Sequence, residues 1–95
     1  MSAVNWNEVI TRLVNKGIGD REIESILDPF DFPIHPHDTA QAVDAGLLRR
    51  STVRRGLSLG DRACLALARA LDAPALTADR AWADLDVGVE IEVIR

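Results

Sequence analysis

The segment 58-SLGDRACLALARAL-71 constrains the fold more than any other part of the chain. Its spacing predicts a helix from Ser58 to about Leu71. On that helix Ala63, Cys64, Leu65, Ala66, Leu67, Ala68, Ala70 and Leu71 surround the axis almost completely. After Asp61 the only strong charges are Arg62 and Arg69, seven apart on one face. A helix that is apolar nearly all round is a buried helix, so the rest of the chain has to cover it from several sides. The whole chain has 95 residues, enough for one domain spanning residues 1–95. A domain of this size buries only about 60–65% of its unfolded surface.

Periodicity identifies the covering elements. Trp6, Val9, Ile10, Leu13 and Val14 form the stripe of an amphipathic helix from Asn5 to about Lys16. Asn5 is its expected N-cap and Gly17 its stop. A shorter helix from Asp20 to about Leu27 buries Ile23, Ile26 and Leu27, and Pro29 ends it. The segment 32-FPIHP-36 reads as a short strand that its two prolines confine to a sheet edge. Asp38 caps a third helix reaching roughly to Arg55, with Ala40, Val43, Leu47 and Leu48 inward and Gly56 closing it.

After the buried helix comes a strand, 75-ALTA-78, then a short turn or helical piece containing Trp82. In 87-VGVEIEVIR-95 the residues Val87, Val89, Ile91 and Val93 share one face, with Glu90 and Glu92 on the other. That alternation describes a strand wet on one side, suited to an edge. Helices alternating with strands imply an α/β fold with a mostly parallel sheet. Interior strands of such sheets read as continuous Val/Ile/Leu runs, and none is present. The sheet is therefore expected to lack its middle.

Composition narrows the functional classes. The chain is 47% hydrophobic and 27% charged, as in ordinary globular proteins. No stretch approaches the ~20 apolar residues of a membrane span, and no signal-peptide pattern is present. The single Cys64 excludes an internal disulfide and fits a reducing cytoplasm. A net charge of −4 argues against a general nucleic-acid coat protein. It leaves room for an enzyme that holds a cation beside a phosphate with a local set of acids.

Three acids stand at comparable places. Glu8 lies three residues after Asn5, Asp61 lies three after Ser58, and Asp79 follows a strand and precedes a turn. All three have a purely structural reading. Ser58-x-x-Asp61 matches a capping box, Asn5-x-x-Glu8 resembles one, and Asp79 can be an N-cap. Glu8 can also pair with Arg12 one turn on. The functional reading rests on topology. Ligands of open parallel sheets bind beyond the carboxyl ends of the strands, where the following helices begin. Converging carboxylates repel one another unless a cation neutralises them. Mg²⁺ or Mn²⁺ suits such an all-oxygen site and can activate water against a phosphodiester.

The run 57-LSLGDRACLALARALDAPALTADRAW-82 resembles the PIN-domain family of metal-dependent ribonucleases, in particular VapC-type toxins of bacterial toxin–antitoxin pairs. The start, 2-SAVNWNEVITRLVNKG-17, is similar to that family's second-strand-to-helix segment, and 87-VGVEIEVIR-95 resembles its last strand. The resemblance implies a PIN-like three-layer fold and a Mg²⁺- or Mn²⁺-dependent endoribonuclease. Glu8, Asp61 and Asp79 would be its catalytic and metal-holding acids, with Thr77 hydrogen-bonding a carboxylate or a metal-bound water. It further implies an RNA substrate, an antitoxin partner and a homodimer. Where many members carry another acid, this chain has Trp82. Family members also begin with an apolar strand bearing a central aspartate, followed by a helix. Neither is found here, so the fold is expected to be truncated at its N-terminus and activity to be low or absent. The alternative is a non-catalytic module that dimerises, closes its open sheet through a partner chain, or binds an antitoxin-like helix. A DNA flap-type nuclease is a third option.

Other features carry weaker signals. Arg49, Arg50, Arg54 and Arg55 form the only basic cluster, 49-RRSTVRR-55. It reads either as a solvated helix end or as a contact for RNA phosphates or an antitoxin. His35 and His37 flank Pro36 without a second cysteine nearby, which disfavours zinc. Cys64, inside the apolar helix, is expected to be core.

Overall fold

The computed structural model describes residues 1–94. Four helices, α1 (Ala3–Asn15), α2 (Asp20–Leu27), α3 (Thr39–Thr52) and α4 (Leu59–Leu71), accompany two strands, β1 (Ala75–Thr77) and β2 (Ile91–Val93). Short 3₁₀ turns occupy Val53–Arg55 and Arg80–Trp82. The strands pair in parallel, with Ala75 opposite Ile91 and Thr77 opposite Val93. This is the expected α/β class, with a small sheet.

The middle of α4 is buried as its composition requires: Ala63, Leu65, Ala66, Leu67 and Ala68 are all buried. Its ends are open: Leu59 and Leu71 are exposed and Cys64 is half-buried. Three stripes of α4 meet three different surroundings. Leu65 and Ala68 join Leu48, Ala75, Trp82 and Val87 in the main core. Arg62, Ala66 and Arg69 run along the α3 side. Arg62 Nη1 donates to the Ala45 carbonyl at 3.0 Å, and Arg69 Nε meets Asp44 Oδ2 at 3.2 Å. Arg69 Nη1 also donates to the Val87 carbonyl at 3.1 Å, tying α3, α4 and the segment before β2 together. Gly60, Cys64, Leu67 and Leu71 form the third stripe, which α1 covers only at its Gly60 end.

Several expectations need correction. The first helix starts at Ala3, not Asn5, because Ser2 is extended and its side chain accepts from the Val4 amide. Its apolar stripe is only half covered: no α1 residue is fully buried and Val14 is exposed. In α2 Ile23 is buried, but Ile26 is exposed. In the third helix Leu48 is buried as expected, but the other residues expected inward are not. Gln41, Ala45, Leu48 and Thr52 are buried, whereas Ala40 is exposed, Val43 is 57% exposed and Leu47 56%. Short side chains at 45 and 52 let α3 approach the arginine stripe of α4. The segment 32-FPIHP-36 makes no strand, only a single parallel bridge between Ser2 and His35. Of the expected 87–95 strand, Arg95 lies outside the described residues, and among those described the strand is Ile91–Val93, with Gly88 taking a left-handed turn at φ 78° before it. Its alternation holds: Glu90 and Glu92 face water and Val87 is buried.

Outside the main core, Trp6, Phe30 and Phe32 pack edge to face, with ring centroids 5.4–6.4 Å apart. This trio anchors the loop after α2 onto α1. Substituting Leu65→Ala should lower unfolding free energy by about 3 kcal/mol, read by urea denaturation, because Leu65 is fully enclosed. The same change at Leu47 should stay within about 0.5 kcal/mol, since that side chain faces water.

Candidate functional site

The first turns of α4 bring a second element close. Glu8 lies in the second turn of α1, and its carboxylate crosses directly over Gly60, the second residue of α4. A Cβ at Gly60 would stand 2.6 Å from the Glu8 carboxyl carbon, a distance such atoms do not reach. Glycine is what lets the acid sit there. Asn5 fixes the pair: its Nδ2 donates to Glu8 Oε1 at 3.3 Å and to the Gly60 carbonyl at 3.0 Å. Glu8 and Gly60 line a cleft of about 630 Å³ with Asn7, His37 and Leu59.

Asp61 follows Gly60. Its Oδ2 accepts from the Ser58 amide at 2.8 Å, while Ser58 Oγ accepts from the Asp61 amide at 3.1 Å. This is the capping box the spacing predicts. The analogous reading of Asn5 and Glu8 is wrong. Both lie inside α1, and their side chains bond each other and Gly60 instead. Glu8 does not pair with Arg12 either; the ion pairs among the described residues are Arg55–Asp84 and Arg69–Asp44.

Asp79 leaves the carboxyl end of β1 and caps the 3₁₀ turn at Arg80–Trp82, its Oδ1 accepting from the Ala81 amide at 2.9 Å. Thr77 Oγ1 accepts from the Asp79 amide at 3.0 Å, so Thr77 shapes the turn that presents the acid. The approach to α4 and the exit from β1 are joined by Arg55. Its Nη2 donates to Asp84 Oδ1 at 2.6 Å and also bonds the Ala81 carbonyl. The hydrogen bond and charge of Arg55 hold the Asp84 carboxyl below its ordinary range.

Each of the three acids thus keeps one oxygen on a nearby backbone or side-chain donor. The other oxygen, Glu8 Oε2, Asp61 Oδ1 or Asp79 Oδ2, has no protein donor among the described residues. All-oxygen donors of this kind match a hard divalent cation. Glu8 lies over Gly60, Asp61 caps the helix that Gly60 belongs to, and Asp79 caps the turn after β1. No three His, Cys, Asp or Glu side chains among the described residues are close enough together to hold a metal.

Of the basic cluster, Arg55 is engaged with Asp84, while Arg49, Arg50 and Arg54 are exposed. Burial pushes the Cys64 thiol up, and the nearby Asp61 charge adds to this, so the thiol is kept protonated rather than activated. His35 contributes its backbone to the bridge with Ser2. His37 lines the Glu8 cleft with a buried, unpartnered Nδ1.

Asn5, Gly60 and His37 are site residues that sequence reasoning missed in these roles. A glycine immediately before Asp61 was the available signal for Gly60, since glycine early in a helix is disfavoured unless something must approach closely. The bridging role of Asn5 depends on a residue 55 positions away and leaves no local trace.

No helix among the described residues is long and apolar enough to cross a membrane. No curated protein and no solved structure matches the chain. A family model described as PIN domain matches residues 1–88, which include α1 to α4, β1 and all three acids. On that match over most of its length, the chain belongs to the PIN-domain family.

Proposed function

We propose that the chain is a nuclease-type domain whose chemistry is Mg²⁺- or Mn²⁺-dependent hydrolysis of RNA phosphodiesters, in the manner of a VapC-type toxin. One observation carries this reading: Glu8, held by Asn5, lies over Gly60 beside Asp61, with a free oxygen on each acid. Glu8, Asp61 and Asp79 would hold the metal. When bound, the ion supplies charge neutralisation and an activated water.

The chain's own residues do the positioning. Ser58 and Asn5 fix the directions of Asp61 and Glu8, and Thr77 shapes the turn that carries Asp79. The exposed Arg49, Arg50 and Arg54 would take RNA phosphates or an acidic antitoxin surface. An antitoxin protein, a homodimer and a cytoplasmic setting belong to the same proposal.

A second reading is favoured by the absence, among the described residues, of three acids close enough together to hold a metal. On that reading the domain is a non-catalytic module that dimerises or binds an antitoxin. Titration calorimetry with Mn²⁺ separates the two: heat of binding supports the nuclease, and its absence alongside a stable dimer supports the module.

The nuclease reading is tested with structured single-stranded RNA and Mg²⁺. Asp61→Asn and Asp79→Asn should each reduce cleavage beyond the about 10–100-fold typical of outer-shell changes. Asparagine is chosen to replace Asp61 because its amide oxygen can still accept from the Ser58 amide and keep the helix cap. Cleavage that survives both substitutions would overturn the assignment. A second test uses Gly60→Ala. The new methyl would displace the Glu8 carboxylate while relieving a helical glycine that costs about 0.8–1 kcal/mol relative to alanine. Thermal stability should hold or rise while Mn²⁺ affinity falls; unchanged affinity would remove Glu8 from the site.

A further inference from the structure

The cleft that Glu8 shares with the start of α4 has about 630 Å³, within the size range of small-ligand sites. Val4, Pro36 and Leu59 give it apolar walls, and Leu59 is 59% exposed there. It also holds two polar side chains that the proposed metal site does not use, Asn7 and His37. Among the described residues no lysine or arginine lines it, and Glu8 is its one acid.

Both polar side chains are left as donors. The Thr11 hydroxyl donates to Asn7 Oδ1 at 3.1 Å, which leaves the Nδ2 hydrogens without an acceptor among the described residues. His37 is half-buried, with its Nδ1 enclosed and unpartnered. A proton on Nδ1 would be a buried donor with nothing to bond, a rare and costly arrangement. The neutral ring therefore carries its proton on Nε2, the nitrogen that is not enclosed.

Apolar walls, two N–H donors and one carboxylate suit a neutral planar ring better than an anion. A phosphate in the cleft would meet Glu8 and no lysine or arginine. An unstacked nucleobase brings flat faces for Val4, Pro36 and Leu59 and acceptor atoms for the donors. We propose that this cleft is a base subsite: one base of a single-stranded RNA lies against the apolar walls and accepts hydrogen bonds from Asn7 Nδ2 and His37 Nε2. Two donors select a base with two neighbouring acceptors. Guanine offers N7 and O6, whereas adenine replaces the second with an N6 donor. The subsite rests on the RNA reading above but not on hydrolysis, since a domain that binds RNA without cutting it keeps the same cleft.

The probes are three labelled RNAs, each a run of uridines with one central guanine, adenine or abasic residue. Binding is read by fluorescence anisotropy without added metal, so that no strand is cut. The guanine RNA should bind about tenfold more tightly than the other two. Asn7→Ala and His37→Ala should each remove most of that preference, and His37→Gln, which keeps an N–H donor, should retain part of it. If His37→Ala does not fold, Asn7→Ala still decides, because it lies at an exposed helical position where alanine is well tolerated. Equal binding of the guanine and abasic RNAs overturns the subsite, as does adenine binding as tightly as guanine. So does a guanine preference that survives the folded variants. A variant that weakens all three RNAs alike assigns its residue a structural role and removes it from base contact. Failure of all three RNAs to bind the unsubstituted chain overturns the RNA reading together with the subsite, which separates that failure from loss of base preference alone.

Discussion

The organisation of this domain follows from the burial of α4. One helix has to satisfy three environments, and its residues divide accordingly. Leu65 and Ala68 face the core around Trp82, and Arg62, Ala66 and Arg69 face α3. Gly60, Cys64, Leu67 and Leu71 face α1 and an open apolar groove. Small residues on each stripe let neighbouring backbones come near. The arginines work on the α3 side because their long stems can lie along apolar surface while their guanidinium groups reach backbone carbonyls and Asp44. Arg62 Nε remains buried without a partner, so this interface is held by fewer hydrogen bonds than its polar groups could make.

Capping and ligation are usually weighed as rival explanations of an acid near a helix start. Here they are compatible. A carboxylate has two oxygens, and a backbone amide occupies one. Asp61 and Asp79 are caps by geometry, yet each retains an oxygen with no protein donor among the described residues. The cap restricts the side-chain rotamer, so the remaining oxygen points in a set direction rather than sweeping through several. Glu8, inside its helix, has no such constraint of its own. Asn5 supplies it from one turn earlier, and Gly60 supplies the space.

What could be read from the sequence was mostly local. The Ser58 and Asp38 caps, the stop before Pro29, the strand at Ala75 and the wet-and-dry alternation at the C-terminus all depend on residues within a few positions of one another. The inward face of α3 was not legible. Ala40, Val43 and Leu47 make as good an apolar stripe as Gln41, Ala45 and Leu48, and more apolar than the one used. The choice between them lies in α4, whose arginine stripe needs a close partner with a carboxylate at Asp44 and an accessible carbonyl at Ala45. Pairing across 17 to 25 residues decides it, and periodicity within α3 has no access to that information. The same holds at the site. The three acids could be named one at a time, but the contact of Glu8 with Gly60 is a tertiary event between α1 and α4.

The groove and the acids are not separate features. Asn5 lines the groove with one face and bonds Glu8 and the Gly60 carbonyl with its amide. The stripe that floors the groove ends at Gly60, where the Glu8 carboxylate rests. One asparagine thus belongs to both, its amide holding Glu8 against the start of α4 while its other face borders the groove.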